Sequence, residues 1–244
     1  MNKEKKGVRG ACFDAVHLYG NEGIPDKTPF SRLMCEALSF DCPRCLLDIG
    51  CGSGIVGLYA LLNGSGFVYF NDLQKDAIRL TQRNLQRHRI PESAYRLLNT
   101  PFQDIELSQY QIDAIFFNPP QLPTDLVPID TYRDGRERIF RDGGADGRHL
   151  IDQFTEWLAS CLHRQTRAYL GISSVLLPDN ILKDAGDRGL TVVKKCAAIV
   201  PLRQIFYPAV GKMSEDERQR REISKKNGEW NKKIYVIEFR RNAG

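Results

Sequence analysis

Three glycines at alternate positions, Gly50, Gly52 and Gly54, follow the apolar run Cys45–Ile49 and precede a second one, Ile55–Leu62. A strand that ends in such a loop and turns into a helix lets a ligand approach the backbone closely. It also offers amide N–H groups at a helix N-terminus. Tight strand-to-helix turns use glycine too, so the loop alone is a weak signal. Two acids sharpen it. Asp48 precedes the first glycine, where a dinucleotide-binding turn keeps an apolar residue. Asp72 closes the next apolar run, 66–71, where a carboxylate can accept both hydroxyls of a ribose. Farther along, Asn118-Pro119-Pro120-Gln121 ends the apolar run Ile112–Phe117. In an open α/β sheet that edge is where ligands bind. The Asn118 side-chain carbonyl and the Pro119 carbonyl can each accept a hydrogen bond from an NH₂ group. Two prolines stiffen the direction of the backbone there.

The string LLDIGCGSG at 46–54 resembles the first motif of the class I S-adenosylmethionine-dependent methyltransferases. Its G-x-G-x-G spacing sets it apart from the G-x-G-x-x-G of dinucleotide-binding dehydrogenases. The resemblance implies S-adenosylmethionine as cofactor. Asp48, Gly50, Gly52 and Gly54 would line its methionine side and Asp72 its ribose, with Cys51, Leu73 and Asn118 completing the set. No metal is expected. Asn-Pro-Pro narrows the resemblance to enzymes that methylate amide or exocyclic amino nitrogens. These include the HemK-type glutamine methyltransferases of peptide release factors, ribosomal-protein glutamine methyltransferases, and adenine- or guanine-N methyltransferases of DNA and rRNA. The segment RDGGADGRHLI at 141–151 is similar to the loop-to-helix stretch of the HemK type. The likeness spans roughly residues 43–176.

It implies a role for Asn118, Pro119, Pro120 and Gln121 as the catalytic group. They would hold an NH₂ and direct its lone pair toward a methyl sulfonium. No strong base is needed, because positioning beside a good electrophile supplies much of the rate. A protein glutamine is the leading acceptor. The alternatives are a nitrogen of a small molecule or natural product, an exocyclic amine of RNA or DNA, and a catalytically silent S-adenosylmethionine-binding partner subunit. Asn-Pro-Pro argues against the silent subunit. Three features depart from the HemK pattern. Gln121 stands where an aromatic is usual. Only about 45 residues precede the glycine loop. No clear acid follows the third strand, where Asn99, Thr100, Pro101 and Phe102 stand with Asp104 nearby.

Positioning these groups requires strands that alternate with helices. Apolar spacing predicts helices over 29–39, 55–62, 74–89, 146–163 and 181–188, and strands over 45–50, 66–71, 95–98, 112–117, 167–176, 190–196 and 234–239. The expected fold is α/β, a single Rossmann-like domain with a seven-stranded mixed sheet. Its last strand would run antiparallel to the rest, as the resemblance implies. Residues 1–42 read as an N-terminal arm and substrate-side helix, and 43–244 as the cofactor-binding domain. Residues 203–233 read as a polar insertion, a lid or solvated loop with an exposed helix in SEDERQRREISKK. The stretch 122–142 reads as a substrate-facing loop. His17 is a lesser candidate for the site.

The chain has 244 residues, and its hydrophobic fraction of 42% and charged fraction of 27% exclude wholesale disorder. The net charge is +5. The excess sits at the ends: residues 210–244 carry ten Lys and Arg against six Asp and Glu. That is a poor match to a basic stripe on a folded body, so nucleic acid is disfavoured as partner. The longest apolar stretch is far short of the ~18 residues of a membrane helix. Seven scattered cysteines read as reduced thiols of a cytoplasmic protein, and Cys42-x-x-Cys45 lacks the second pair that zinc needs.

Overall fold

Short apolar strands alternate with amphipathic helices along the chain, and burying both faces of the strands requires helices on each side of one sheet. The computed structural model describes residues 11–20, 23–39, 42–124 and 141–242. The expected N-terminal arm at 1–10 and residues 125–140 of the expected substrate-facing loop lie outside them. In chain order the elements are α1 (Pro29–Ser39), β1 (Cys45–Ile49), α2 (Ile55–Leu62), β2 (Phe67–Asn71), α3 (Lys75–Arg87), β3 (Tyr95–Leu98) and β4 (Ala114–Phe117). There follow α4 (His149–Cys161), β5 (Arg167–Ser173), α5 (Pro178–Asp187), β6 (Leu190–Pro201), α6 (Tyr207–Lys212), α7 (Glu215–Arg220), β7 (Ser224–Lys226) and β8 (Glu229–Arg241).

The strands form one sheet in the order β3-β2-β1-β4-β5-β8-β6, with β7 paired on β8. β1 to β5 run parallel, and β8 runs antiparallel to both β5 and β6. The strand order reverses between β1 and β4, so their carboxyl ends open a crevice at a topological switch point. The glycine loop leaves β1 at that crevice and Asn-Pro-Pro leaves β4 beside it.

Alternation along each strand divides the core in two. Leu47, Ile49, Ile115 and Phe117 pack toward Phe154, Trp157 and Leu158 of α4. Leu46, Ala114 and Phe116 pack toward Leu33, Met34 and Leu58 of α1 and α2. Each fully buried Leu, Ile or Phe is worth about 1.5–3 kcal/mol, so the two layers together fix the crevice.

The expected seven strands become eight, because β8 begins at Glu229 and forms a hairpin with the three-residue β7. The polar insertion is therefore shorter than 203–233 and far from a solvated loop. It folds into α6, α7 and the β7–β8 hairpin around a small core of Leu202, Phe206, Val210 and Ile223, packed on Val175. Its apolar residues, spread unevenly over 203–233, carry too weak a period to read as a core. The exposed helix expected there is α7, where Ser214 Oγ accepts from the Glu217 amide at 3.1 Å as its N-cap. No helix of the described residues is long and apolar enough to cross a membrane.

Candidate active site

The carboxyl ends of β1, β2 and β4 border a cavity of about 810 Å³. Gly50 and Gly52 on its floor, and Gly54 just behind them, have φ of +60°, +56° and +79°, the left-handed region where only glycine is unstrained. A second layer fixes this loop. Thr81 Oγ1 on α3 donates to the Gly52 carbonyl at 3.0 Å, and Asn84 Nδ2 donates to the Ser53 carbonyl at 2.8 Å. Both side chains are fully buried. Ser53 Oγ donates in turn to the Asp26 carbonyl at 3.0 Å, tying the loop to the segment that leads into α1.

Asp72 follows β2 directly, and its two oxygens accept from separate backbone amides: Gly52 at 3.0 Å and Gln74 at 2.9 Å. A carboxylate has about four lone-pair sites, so each oxygen keeps capacity for a hydroxyl on the cavity side. Burial raises the Asp72 pKa, against the pull of its backbone donors. Asn71 and Asn99 lock the two strand ends that carry it. Asn71 Nδ2 donates to the Leu98 and Thr100 carbonyls, and Asn99 Nδ2 to the Asp72 and Leu73 carbonyls. Leu73 is 64% exposed and lines the cavity with Thr100, Pro101 and Phe102, a largely apolar slot beside Asp72.

Asp48 lines the same cavity but also serves the fold. Its Oδ2 accepts from the Gly57 amide at 3.0 Å in the first turn of α2. Burial raises its pKa to about 7, the Gly57 amide opposes that shift, and the nearby Asp72 charge adds to it. Cys51 is buried, and its thiol sits 3.4 Å from Thr81 Oγ1. Burial first, and the charges of Asp72 and Asp48 next, push that thiol well above its usual pKa, so it is no nucleophile.

Asn118, Pro119 and Pro120 line the opposite wall. The Asn118 side chain has no hydrogen-bond partner among the described residues. Gly171 on β5 leaves it room: a Cβ there would stand 3.1 Å from Asn118 Oδ1, from Met34 Cε and from Phe30 Cδ1. Gln121 behaves differently from its expected place among the reacting groups. Its Nε2 donates to the Gly171 carbonyl at 3.1 Å and, weakly, to the Pro119 carbonyl at 3.4 Å. Its Oε1 accepts from the Ser173 amide at 2.7 Å. The side chain is spent on bracing Asn-Pro-Pro against β5. An amide closing two backbone groups of a neighbouring strand cannot be told from a substrate contact by sequence alone.

The structure thus brings the expected catalytic and cofactor-binding residues, Gly54 apart, to the lining of one cavity. It adds Phe30 and Met34 of α1, Arg203 and Phe206 of the insertion, and Lys232 of β8. Thr81 and Asn84 carried a signal, two polar side chains one turn apart on the apolar face of α3. The others had none, since chain distance hides their approach. His17 is exposed and stands away from the cavity, its carbonyl 2.7 Å from His88 Nε2.

Residues 24–125 match the methyltransferase small domain family. A release factor glutamine methyltransferase of Thermosynechococcus vestitus is 29% identical over 124 residues, 49% of this chain and 42% of that protein. One of Aquifex aeolicus is 24% identical over 171 residues, 64% of this chain and 59% of that protein. The chain spans about half the length of the curated relatives it matches. Among solved structures, a Pyrococcus horikoshii protein described as a candidate RNA methyltransferase superposes with TM-score 0.60 at 14% identity, covering 95% of each chain. The fold is that of the class I methyltransferases, whose methyl donor is S-adenosylmethionine.

Proposed function

We propose that this chain, which matches the methyltransferase small domain family over residues 24–125 and has a class I methyltransferase fold, transfers a methyl group from S-adenosylmethionine to an amide or amino nitrogen. The observation that carries the reading is the pairing of two groups across one cavity. Asp72 and the glycine loop form one wall, and Asn118, with its side-chain amide free of partners among the described residues, forms the other.

The left-handed glycines give the floor a tight turn that any side chain would strain, and Asp72 retains lone pairs for two ribose hydroxyls, so the residues fit the donor. The bound donor supplies an electrophilic methyl on a sulfonium. Asp48 offers a carboxylate for a nearby cation. Asn118 Oδ1 and the Pro119 carbonyl accept from the two N–H groups of the acceptor and so fix its nitrogen. The prolines and the Gln121 brace hold those acceptors still, which is where such a site gains rate. Phe30 and Met34 of α1 wall the acceptor side and exclude water. This assigns 29–39 as the substrate-side helix ahead of the cofactor domain.

The similarity to release factor glutamine methyltransferases supports a protein glutamine as acceptor. None of the seven cysteines is in a disulfide, which fits a reducing, cytoplasmic setting. The test is incubation of the purified chain with S-adenosylmethionine labelled in its methyl group and a glutamine-bearing release factor. Label on a glutamine side-chain nitrogen, located by mass spectrometry, is the expected result. Label on RNA alone moves the acceptor to an exocyclic amine.

A further inference from the structure

The acceptor half of the cavity holds a cation that neither the glycine loop nor Asn-Pro-Pro uses. Lys232 lies opposite Val200 in the β6–β8 register and lines the cavity with Phe30, Leu202, Arg203 and Ile234. Its Nζ is 5.9 Å from the centroid of the Phe30 ring. Among the described residues it makes no ion pair and no hydrogen bond. The adjacent Lys233 differs, with its Nζ on Glu222 Oε1 at 2.8 Å. A half-buried ammonium against an aromatic ring, Val200 and Ile234 has lost water without gaining a counter-charge among the described residues, which is costly.

No acid among the described residues offsets that cost. Of the acids lining the cavity, Asp72 is engaged by Gly52 and Gln74, and Asp48 by Gly57. Asp26, ahead of α1, accepts from the Lys27 amide at 2.6 Å. Lys27 Nζ donates to the Asp14 carbonyl at 3.0 Å. The remaining charged groups lining the cavity are cations, Arg141 and the exposed Arg203, and Arg203 has no ion-pair partner among the described residues. Burial alone lowers Lys232 to a pKa of about 8. Phe30 connects this corner to the chemistry, since its Cδ1 and Asn118 Oδ1 would each stand 3.1 Å from a Cβ at Gly171.

We infer that the methyl acceptor carries an anion, a carboxylate or a phosphate, which seats on Lys232 with Arg203 at the rim while its nitrogen rests on Asn118. The inference deepens the reading of Asn118 as the nitrogen clamp and rests on it. A neutral amide by itself leaves Lys232 unpaired, so this pair of cations selects among acceptors.

Calorimetry on the full chain saturated with S-adenosylhomocysteine tests it. The probes are glutarate, inorganic phosphate and the neutral isostere glutaramide. Glutarate or phosphate binds at least tenfold more tightly than glutaramide, and whichever binds identifies the source of the charge. Lys232→Met abolishes that binding without lowering Tm, because it removes a desolvated cation. Lys232→Arg retains it. The glutarate affinity falls as pH rises through about 8, where Lys232 gives up its proton. Equal binding of glutarate to the Met variant, equal binding of glutarate and glutaramide, or no anion binding at all overturns the inference. The first titration separates the two readings. A chain that fails to bind S-adenosylhomocysteine overturns the proposed function, and the anion titrations on the bare chain still decide the role of Lys232.

Discussion

The Ser173 backbone amide donates to Gln121 Oε1 at 2.7 Å, joining the loop after β4 to the end of β5 inside the protein. The Gly171 carbonyl takes the other end of the same side-chain amide. Gln121→Ala leaves both backbone groups buried and unpaired, a cost of about 1–3 kcal/mol for each lost partner. Denaturant unfolding should register that loss. S-adenosylhomocysteine affinity should hold within about twofold, while kcat falls, because the brace and not the cofactor wall has gone. Unchanged stability would show that the Gln121 bonds are not made in solution.

The raised pKa of Asp48 gives stability a definite pH dependence. Between about pH 4 and 7 the folded chain keeps a proton that the unfolded chain has released. The contribution is therefore fully present below the unfolded pKa and is lost as pH rises through about 7. Its ceiling is about 4 kcal/mol at ~1.4 kcal/mol per unit. Asp48→Asn keeps an oxygen for the Gly57 amide and removes the charge. It should raise Tm at pH 8 by several degrees, at roughly 2–4 °C per kcal/mol for a chain of this size, and the gain should shrink as pH falls and vanish below about pH 4. S-adenosylhomocysteine, which brings an ammonium group, should bind the unaltered chain more tightly as pH passes 7, and the Asn variant without that trend. Parallel Tm curves for the two proteins would exclude a neutral buried Asp48.

Asp72 acts at two levels, and its variants separate them. Asp72→Ala removes the acceptor for Gly52 and Gln74 together with the proposed ribose contact. Hydrogen bonds to a charged group are worth about 1.5–3 kcal/mol, so S-adenosylhomocysteine binding should weaken by roughly 10- to 150-fold. Asp72→Asn keeps one acceptor oxygen and should fall between. Calorimetry that finds the Ala variant binding as tightly as the unaltered chain would remove Asp72 from the cofactor wall.

Local pattern explains how much of this was legible beforehand. The run of apolar residues ending in alternate glycines specified β1, its loop and α2, with α2 falling on 55–62 as its spacing required. The motif residues Asp48, Asp72 and Asn118 stand at strand ends, so reading the strands placed them at one edge. Three things were hidden. β6 and β8 extend well past their apolar cores, because pairing between two long antiparallel strands continues through polar residues such as Lys232 and Asn231. The insertion buries only a few apolar side chains, each supplied by a different short element. Gln121 and Lys232 derive their roles from β5 and α1, partners distant in the chain, and no spacing encodes that.

Asn118 carries the sharpest prediction, because its side chain is the uncharged polar group beside the reacting atoms that the fold leaves unused among the described residues. A buried amide with both ends engaged, like Gln121, is structural. One facing a cavity with neither end engaged has its partner supplied by a ligand. Asn118→Ala should reduce kcat by a factor of roughly 10²–10³, the usual size for one preorganised polar group. S-adenosylhomocysteine affinity should change little, since Asp72 and the glycine loop lie on the other wall. Stability should hold as well, because no intramolecular hydrogen bond is lost. Asn118→Asp keeps a carbonyl-type acceptor and adds a charge, so it should retain more activity than the Ala variant. Single-turnover rates with a labelled methyl donor measure each case. Full activity in both variants would mean that the nitrogen is held elsewhere and that the methyl goes to a different kind of atom.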